Sequence, residues 1–324
     1  MPKLDRFDMG SSAKNPYQKS SPQGLIFDIR KYSIHDGPGV RTTVFFKGCP
    51  LECRWCCNPE SQAGRLELVW VGERCLGCDL CLSVCEKAAL GVAADGGRTI
   101  DRERCDCCGA CARRCPGEAL NLIGRRVTVD EVLAEVARDA LYFEASGGGL
   151  TLSGGEPLAQ PDFAAELLRR YKREERGGHT AVETCGFVAW SVIERVAPDV
   201  DLFLYDLKHV DPEEHRRLTG EGNQLVLDNA RRLAAAGYAM VMRLPLIAGV
   251  NDRREQLEAA ADFILSLPGV RRLDLLPYHR LGEPKYRRLG KAYPLAGEPS
   301  LSSEPVARAA EILATKGLEV TIGG

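Results

Sequence analysis

The stretch RTTVFFKGCPLECRWC, residues 41–56, joins a predicted strand to a loop that carries three cysteines. Its first part, Arg41–Phe46, is rich in β-branched and aromatic residues, which is typical of a strand. Cys49, Cys53 and Cys56 follow directly, and thiolates spaced this closely can hold three corners of a [4Fe–4S] cube. A cube held in this way keeps its last iron without a protein ligand. We therefore predict an iron–sulfur cluster with one open, Lewis-acidic iron at the end of a strand.

The alternative for this loop is a structural zinc site. Zinc usually takes two well-separated pairs of ligands, and the spacing Cys-x3-Cys-x2-Cys provides no such pairs. Cys57 directly follows Cys56, and this adjacency does not favour Cys57 as a further ligand. The iron–sulfur cluster is therefore the preferred interpretation.

Eight further cysteines form two runs with the same spacing. The runs are Cys75-x2-Cys78-x2-Cys81-x3-Cys85 and Cys105-x2-Cys108-x2-Cys111-x3-Cys115-Pro116. Each run matches the pattern of bacterial two-cluster ferredoxins, in which the last cysteine of a run binds the other cluster. We therefore predict one [4Fe–4S] cluster on Cys75, Cys78, Cys81 and Cys115, and another on Cys105, Cys108, Cys111 and Cys85. Zinc is again the alternative, Glu86 stands where the pattern has proline, and Cys107 lies outside the pattern.

The composition excludes several classes of protein. The net charge of −2 over 324 residues provides no basic field for a nucleic-acid partner. No apolar run approaches the length of a membrane span, and residues 1–23 lack the apolar core of a signal peptide. We therefore expect a cytoplasmic protein without nucleic-acid or membrane partners, in which residues 1–23 form a flexible N-terminal arm. In that compartment the 14 cysteines are better explained by metal ligation than by disulfides.

An alternation of helices and strands fills the chain from Thr128 onward. Thr128 and Glu131 have the spacing of a capping box. The pattern predicts strands at 149–152, 180–183, 202–207, 239–246, 273–276 and 318–322, and helices near 128–140, 163–171, 190–196, 225–236, 255–267 and 305–316. This alternation implies a parallel α/β sheet or barrel. The expected organisation is an arm at 1–23, the start of a barrel with the cluster loop at 24–65, a cysteine-rich insert at 66–125 and the rest of the barrel at 126–324.

Polar and charged residues gather at the predicted carboxyl ends of these strands, where parallel α/β folds place their sites. They are Gly154, Gly155 and Glu156 within Ser153–Pro157, Glu183, Thr184, Asp206, Leu207, Lys208, Arg243 and His279. The glycines let a ligand approach the backbone, and a carboxylate beside them suits an ammonium group. The acidic and hydroxyl side chains can hold a cation, with Lys208 supplying the opposite charge. The alternatives are a glycine-rich turn, buried ion pairs at strand ends, and structural roles for Arg243 and His279.

In these motifs the chain resembles the activating enzymes of glycyl radical enzymes, within the radical S-adenosylmethionine (SAM) superfamily. The likeness covers nearly the whole chain from Gly24 onward. The residues that carry it are YSIHDGPGVRT (32–42), FKGCP (46–50), CCNPE (56–60), SGGGLTLSGGEP (146–157), YDLKH (205–209), TG (219–220) and RLPLIAGVND (243–252). The chain is similar to the larger members, such as those that serve choline, glycerol, isethionate or arylacetate lyases.

The resemblance implies a fold and a set of cofactors. The fold is a partial (β/α)6 barrel of the radical SAM type with an inserted ferredoxin-like domain. The cofactors are SAM and three [4Fe–4S] clusters, of which the catalytic one is held by Cys49, Cys53 and Cys56. The resemblance implies that Trp55, Cys56 and Cys57 contact the adenine of SAM, and that Gly155, within Gly154-Gly155-Glu156, contacts its amino group. Further SAM contacts are implied for Asp206, Leu207, Lys208, Arg243 and His279. Lys208 is also counted as catalytic. A monovalent-cation site is matched by Glu183, Thr184 and Asp206, where Glu183 replaces a more familiar aspartate.

The resemblance also implies a reaction. Flavodoxin or ferredoxin supplies an electron, SAM is split into methionine and a 5′-deoxyadenosyl radical, and this radical takes a hydrogen atom from a backbone glycine of a partner glycyl radical enzyme. The two insert clusters relay electrons inward, or else they dock partners or stabilise the insert. One rival is a peptide-modifying maturase of the same superfamily, but those enzymes often have cysteines after the barrel and this chain has none beyond Cys185. The other rival is an iron–sulfur electron carrier, which has no need of an open cluster corner.

Overall fold

The computed structural model describes residues 22–174 and 178–323. The predicted N-terminal arm lies outside the described residues except for Pro22 and Gln23. Gln23 already belongs to a strand, so the regular structure begins one residue before the predicted start of the barrel.

Strands and helices alternate through most of the described residues. The strands are β1 (Gln23–Ser33), β2 (Arg41–Phe46), β3 (Glu67–Trp70), β4 (Leu90–Val92), β5 (Arg98–Ile100), β6 (Leu120–Ile123), β7 (Arg125–Thr128), β8 (Gly149–Gly154), β9 (His179–Thr184), β10 (Leu202–Asp206), β11 (Met240–Leu246), β12 (Arg272–Pro277) and β13 (Glu319–Ile322). The helices are α1 (Leu80–Ser83), α2 (Ala110–Arg113), α3 (Val129–Val136), α4 (Ala140–Ser146), α5 (Pro161–Glu174), α6 (Trp190–Val196), α7 (Pro212–Thr219), α8 (Gln224–Ala235), α9 (Arg254–Leu265), α10 (Glu283–Arg288) and α11 (Ser303–Thr315). In the parts of the chain that the structure describes, no helix is long and apolar enough to cross a membrane.

One large sheet organises the molecule, with the strand order β13-β12-β11-β10-β9-β8-β2-β1-β7. β2 and β8 to β13 run parallel, whereas β1 pairs antiparallel with β2 and with β7. The predicted parallel α/β sheet is therefore confirmed, and β2 with β8 to β12 supply the strands of six β/α units. β1 and β7 do not follow from the sequence pattern, because charged residues interrupt β1 and β7 has only four residues. The carboxyl ends of the parallel strands meet at one edge of this sheet.

The helices pack on the sheet through the faces that their sequences predict. Thr128 Oγ1 accepts a hydrogen bond from Glu131 N at 3.2 Å, and Thr128 N donates to Glu131 Oε2 at 2.7 Å, so the predicted capping box begins α3. This helix ends at Val136, and a turn separates it from α4, so the single helix predicted near 128–140 is wrong at its end. The apolar face expected for α5 is buried, with Phe163, Ala164, Leu167, Leu168 and Tyr171 in the main core.

Outside the cysteine-rich segment, three helices, α4, α7 and α10, have no counterpart in the predicted pattern. α4 buries only Phe143. The sequence of α7 is mostly polar and buries only His215, Leu218 and Thr219. That of α10 buries only Tyr286. Helices that bury so few apolar residues leave little periodic signal in a sequence.

The cysteine-rich segment, residues 66–125, forms two small sheets apart from the large one. β3 pairs antiparallel with β6, and β4 with β5. The helices α1 and α2 have four residues each, as expected for a stretch without long periodic elements. Leu68, Leu120, Cys81 and Cys111 form the buried core of this segment. Its last residue, Arg125, already belongs to β7 and therefore to the large sheet.

Candidate functional site

A cavity of about 390 Å³ opens at the carboxyl ends of the parallel strands. Sites for small molecules and cofactors commonly have this size. Of the predicted site residues, the cavity is lined by Cys49, Cys53, Trp55, Cys56, Cys57, Gly154, Gly155, Glu183, Asp206, Lys208 and His279. The other predicted residues do not line it, although the structure describes them: Glu156, Thr184, Leu207 and Arg243. The fold therefore brings the cysteine loop together with the ends of six strands, β8 to β13.

The sulfur atoms of the cysteine loop lie in a buried environment. Burial raises the pKa of Cys53 to about 12 and raises that of Cys56 further. A hydrogen bond with the Cys185 side chain lowers the pKa of Cys49, against the opposing effect of burial. Buried thiols become thiolates when a cationic group compensates their charge, and iron ions do so. The donor set around this cavity therefore fits a [4Fe–4S] cluster with one open iron.

Backbone hydrogen bonds hold the cysteine loop from two directions. The bonds run from Gly48 N to Ser61 O (2.6 Å), from Cys49 N to Gln62 O (3.0 Å), from Glu52 N to Thr219 O (2.8 Å) and from Arg54 N to Leu218 O (3.0 Å). Leu218 and Thr219 are the last residues of α7. Two of these four hydrogen bonds are therefore accepted by α7, a helix that lies far from the loop in the sequence.

The two glycines after β8 allow its end to pack directly on the cysteine loop. A Cβ atom on Gly155 would lie 2.3 Å from Gly48 O, and one on Gly154 would lie 2.5 Å from Phe46 N. Gly155 N donates to Phe46 O at 2.9 Å. The sequence favoured these glycines for ligand access, and both do line the cavity. Their first requirement, however, is the close approach of two backbones.

The Glu156 carboxylate is fully buried and joins the end of β8 to the end of β9. It accepts hydrogen bonds from Thr184 Oγ1 at 2.9 Å, from Cys185 N at 2.8 Å and from Leu158 N at 3.0 Å. The Cys185 thiol donates to the same carboxylate at 3.0 Å. Because these partners occupy the carboxylate away from the cavity, the predicted contact between Glu156 and an ammonium group receives no support from this arrangement.

A buried ion pair lies at the end of β10, where Lys208 Nζ is 2.8 Å from Asp206 Oδ2. Burial alone would lower the pKa of Lys208, but the charge of Asp206 raises it above its usual value. Both side chains line the cavity, so Lys208 presents a fixed positive charge there. Leu207, between them, is buried in the main core and does not reach the cavity.

A second charged network joins Glu183 in the cavity wall to Arg243 and Asp274, which do not line the cavity. Arg243 Nη1 is 2.8 Å from Glu183 Oε1, and Arg243 Nε is 3.6 Å from Asp274 Oδ2. Ser153 Oγ donates to the other oxygen of Glu183, and Arg243 Nη2 donates to the backbone oxygen of His35. Burial would raise the pKa of Glu183, but the charge of Arg243 holds it below the usual value. Arg243 therefore has a structural role as an ion-pair partner, which was the predicted alternative to a contact with a ligand.

The residues expected to bind a monovalent cation each have another partner. Glu183 pairs with Arg243, the Thr184 hydroxyl donates to Glu156, and Asp206 pairs with Lys208. Among the described residues, no three His, Cys, Asp or Glu side chains are grouped to hold a single metal ion.

Aromatic and apolar side chains form the rest of the cavity wall, and most of these residues were not predicted from the sequence. Trp55 packs with Tyr278, Tyr286, Tyr293 and Ile247 in a small core of its own. Trp55, Tyr278 and Ile247 also line the cavity. The only sequence signal for Tyr278 and Ile247 is their place just after predicted strands.

His279 follows this wall and keeps its predicted place at the cavity. Its Nδ1 accepts a hydrogen bond from Leu281 N at 3.3 Å, which caps the short turn that follows. Cys185 also lines the cavity, although no role for it was predicted. Its position directly after Thr184, at a predicted strand end, is the signal that could have found it.

The eight cysteines of the cysteine-rich segment are sorted into two sets. One small cavity is lined by Cys75, Cys78, Cys81 and Cys115. A second cavity is lined by Cys85, Cys105, Cys108 and Cys111, and Cys107, which lies outside the spacing pattern, lines it as well. The last cysteine of each run thus lies with the first three of the other run. All 14 cysteines of the chain lie in described residues, and the structure has them as free cysteines.

The backbone of this segment repeats every 30 residues, as the two cysteine runs do. Left-handed conformations recur at equivalent places, with φ of 66° at Gly77, 57° at Asp79 and 45° at Ala88, then 55° at Cys107, 74° at Gly109 and 50° at Glu118. Cys107 therefore corresponds to Gly77 and not to a cysteine of the other run. Its thiol donates to Leu66 O at 3.3 Å, which agrees with its place outside the spacing pattern.

Comparisons with known proteins place these features in a family context. The family model of the radical SAM superfamily matches residues 102–264, a stretch that begins after the cysteine loop. An isethionate sulfite-lyase activating enzyme from Nitratidesulfovibrio vulgaris is 45% identical over 297 residues, which are 90% of this chain and 95% of that protein. A choline trimethylamine-lyase activating enzyme from Oleidesulfovibrio alaskensis is 40% identical over 291 residues, 88% of this chain and 93% of that protein. The solved structure of a radical SAM methyltransferase from Sphaerobacter thermophilus shares the fold, with a TM-score of 0.53 at 17% identity over 93% of this chain and 77% of that one.

Proposed function

Because the chain belongs to the activating enzymes of glycyl radical enzymes, within the radical SAM superfamily, we propose that it places a glycyl radical on an isethionate sulfite-lyase. The general activity, SAM-dependent generation of a glycyl radical, follows from the family. The choice of partner rests on similarity, since the relative that serves isethionate sulfite-lyase is 45% identical and the one that serves choline trimethylamine-lyase is 40% identical. A choline lyase is therefore the partner to test beside it.

The observation that carries the site is the convergence of the cysteine loop and six strand ends on one cavity. When bound, the cluster and SAM supply one-electron chemistry that yields methionine and a 5′-deoxyadenosyl radical, which removes a hydrogen atom from the partner's glycine. Cys49, Cys53 and Cys56 are the proposed cluster ligands. The chain's other residues bind and orient SAM and keep water away from it.

The proposed SAM contacts are the predicted residues that line the cavity. Trp55 and Cys57 supply an apolar surface for the adenine, and the Gly155 backbone lies beside the cysteine loop where the amino group would reach the open iron. Lys208 and His279 supply polar contacts, since Lys208 holds its charge through the pair with Asp206. Glu156, Thr184, Leu207 and Arg243 are supporting residues in this proposal, because they hold the strand ends together from behind the cavity.

The cysteine-rich segment is proposed to hold two further [4Fe–4S] clusters. Support comes from the sorting of its cysteines into two sets of four and from the repeat of its backbone. Backbone amides also donate to cysteine sulfur at equivalent places, from Ala89 N to Cys85 Sγ at 3.3 Å and from Ala119 N to Cys115 Sγ at 3.2 Å. Such hydrogen bonds are common around iron–sulfur clusters and tune their potentials. In this role the segment, proposed as a ferredoxin-like insert at 66–125, relays electrons from flavodoxin or ferredoxin.

We further propose a cytoplasmic location and a monovalent-cation site. A cytoplasmic location agrees with an oxygen-sensitive cluster protein that lacks disulfides. A monovalent cation near Glu183 would require that residue to exchange Arg243 for the ion.

The test combines two measurements on anaerobically reconstituted protein. With dithionite as reductant, SAM should be converted to 5′-deoxyadenosine, and electron paramagnetic resonance should then detect a glycyl radical on added isethionate sulfite-lyase. Choline trimethylamine-lyase, added in its place, should give a weaker signal or none. A stronger radical on the choline lyase would reassign the partner, and no 5′-deoxyadenosine with an intact reduced cluster would remove the radical SAM assignment of the site.

The same measurements distinguish the proposed function from its two rivals, a peptide-modifying maturase and an iron–sulfur electron carrier. A maturase would cleave SAM but would leave both lyases without a radical. An electron carrier would be reduced by dithionite without cleaving SAM.

A further inference from the structure

A groove of about 240 Å³ lies where the cysteine-rich segment meets the large sheet. Leu25 of β1 and Arg126 of β7 line it on one side. Arg65, Arg102 and Cys105 line it on the other. We call it the basic groove, since three arginines share so small a space.

The arginines of the basic groove are not neutralised by the protein. Arg65 and Arg126 are exposed, and within the described residues neither they nor Arg102 has a carboxylate at ion-pair distance. Arg102 donates instead to two backbone oxygens, those of Leu68 and Leu289. Like charges held together without counter-ions repel one another, so an anionic partner is stabilised there.

The two carboxylates that line the basic groove do not offset this charge. Glu67 is buried and pairs with Lys47, whose Nζ lies 2.7 Å from Glu67 Oε2. Asp106 is exposed, and its Oδ1 accepts a hydrogen bond from Cys108 N at 3.1 Å. Three arginines therefore face one carboxylate that has no cationic partner.

The basic groove reaches one cysteine set and not the other. Cys105 belongs to the set with Cys85, Cys108 and Cys111, and it lines the groove. The cavity of the other set is lined only by residues between Trp70 and Leu120 of the cysteine-rich segment. The groove also adjoins the cysteine loop, since Lys47, the partner of Glu67, lies two residues before Cys49. The groove thus borders one proposed cluster, and the ion pair of Glu67 with Lys47 links its lining to the residues just before the cysteine loop.

From this placement we propose that the basic groove is the docking site for the reductant, a small acidic one-electron carrier protein. The proposal rests on the proposed function, because it needs a cluster on Cys85, Cys105, Cys108 and Cys111. Arginine guanidinium groups bind carboxylates in a bidentate manner and steer an acidic partner before contact. The reduced carrier gives up one electron and is oxidised, the cluster beside Cys105 gains that electron, and no bond or proton changes place. A second function of the groove, docking of the glycyl radical enzyme, is the competing outcome.

The experiment uses the full chain, reconstituted anaerobically, and flavodoxin as the acidic probe. The variant Arg65→Glu/Arg126→Glu reverses two exposed charges that make no hydrogen bond or ion pair of their own among the described residues. The matched control is Arg173→Glu near the end of α5, an exposed arginine without an ion pair in the described residues. Its neighbour Lys172 pairs with Asp201 ahead of β10, so the control lies at the opposite ends of the strands.

Binding of oxidised flavodoxin is measured by calorimetry at low and at physiological salt, and reduction by flavodoxin hydroquinone is followed by stopped flow. The double variant should bind flavodoxin about tenfold more weakly or worse and lose most of its salt dependence. The control should bind as the unmodified protein does, and reduction by dithionite should be equal in all three. Arg65→Gln/Arg126→Gln, which removes charge without reversing it, should give a smaller loss in the same direction.

Unchanged flavodoxin affinity in both double variants would overturn the proposal. An equal loss in the Arg173→Glu control would do so as well, and so would a loss of iron in both double variants. If the double variants lose affinity for the glycyl radical enzyme and keep it for flavodoxin, the groove docks the protein substrate instead. Failure of the proposed function is seen separately, as the absence of 5′-deoxyadenosine from the unmodified protein with dithionite.

Discussion

The cysteine loop and the cysteine-rich segment both gather thiols, but the fold positions them by different means. The loop is held not only by the nearby Ser61 but also by residues from distant parts of the chain, including Gly155 and Thr219. The segment arranges its cysteines through short local elements that repeat every 30 residues. The spacing of the cysteines therefore predicts almost the whole arrangement of the segment. For the loop, the spacing predicts only the proposed cluster ligands and not the residues that surround them.

This difference has a physical origin. A relay cluster needs four sulfur ligands and a small apolar shell, which a short run of residues can provide. An open cluster must also face a cofactor, so its loop has to border a cavity that several strands build. The two regions should therefore respond differently to the same kind of change.

The largest effect is expected from removing the loop ligands with a Cys49/Cys53/Cys56→Ala triple variant. Because the segment arranges its own cysteines, this variant should keep about eight of about twelve iron atoms, counted for three [4Fe–4S] clusters. It should form no 5′-deoxyadenosine. Iron analysis and chromatography of the products measure both quantities. Loss of all iron would show that the two regions do not assemble independently, and zinc in place of iron in the unmodified protein would contradict the cluster assignment.

A smaller and selective effect is expected from Cys78→Ala and Cys108→Ala, which each remove one ligand from a different set. SAM cleavage driven by dithionite should persist in both, since the cysteine loop is intact. Cleavage driven by flavodoxin should fall further, because the relay is interrupted. Rates of 5′-deoxyadenosine formation with the two reductants give the comparison, and an equal fall with both would argue against a relay.

The ion pair between Lys47 and Glu67 joins the two regions, and breaking it should lower stability without removing ligands. Both side chains are buried, and burial lowers the pKa of Lys47 even beside Glu67. Lys47→Met would leave Glu67 buried without its cation, at a cost of about 3–5 kcal/mol in the free energy of unfolding. The double variant Lys47→Met/Glu67→Leu should regain most of that stability. Anaerobic thermal unfolding measures the stability of both variants. Equal losses of stability in the single and the double variant would mean that the ion pair itself stabilises the contact between the two regions.

The smallest effect is expected outside both regions, at the capping box that begins α3. Thr128→Ala removes the hydroxyl that accepts from Glu131 N and should cost about 1 kcal/mol. Iron content and SAM cleavage should not change, since α3 lies behind the sheet and contributes nothing to the cavity. Thr128→Ser keeps the cap and is the matched control. A change in iron content would show that the cysteine loop depends on this helix.

Much of the fold follows from local patterns in the sequence. β2 and α6 have their predicted bounds, and the capping box and the buried face of α5 are confirmed, because apolar periodicity and capping are local properties. β1, α7 and α10 are missing from the prediction, since each is stabilised mainly by its neighbours and few of its residues carry an apolar signal.

The candidate site likewise contains some features that the sequence predicts and others that it does not. Residues at strand ends were predicted from their positions, and Gly155, Asp206, Lys208 and His279 do line the cavity. Position along a strand does not say where a side chain finds its partner. For that reason Glu156 and Arg243 do not line the cavity, although each has a partner that does: Cys185 for Glu156 and Glu183 for Arg243.

By itself, the sequence determined the parallel α/β arrangement and predicted the cysteine ligands of each proposed cluster, because spacing and periodicity are properties of neighbouring residues. The tertiary structure alone decided which residues surround the cysteine loop. It brought Tyr278 and Ile247 to the cavity beside Trp55, and it set three arginines around a groove next to Cys105. Such contacts join residues far apart in the chain, and only the packing of strands and helices specifies them.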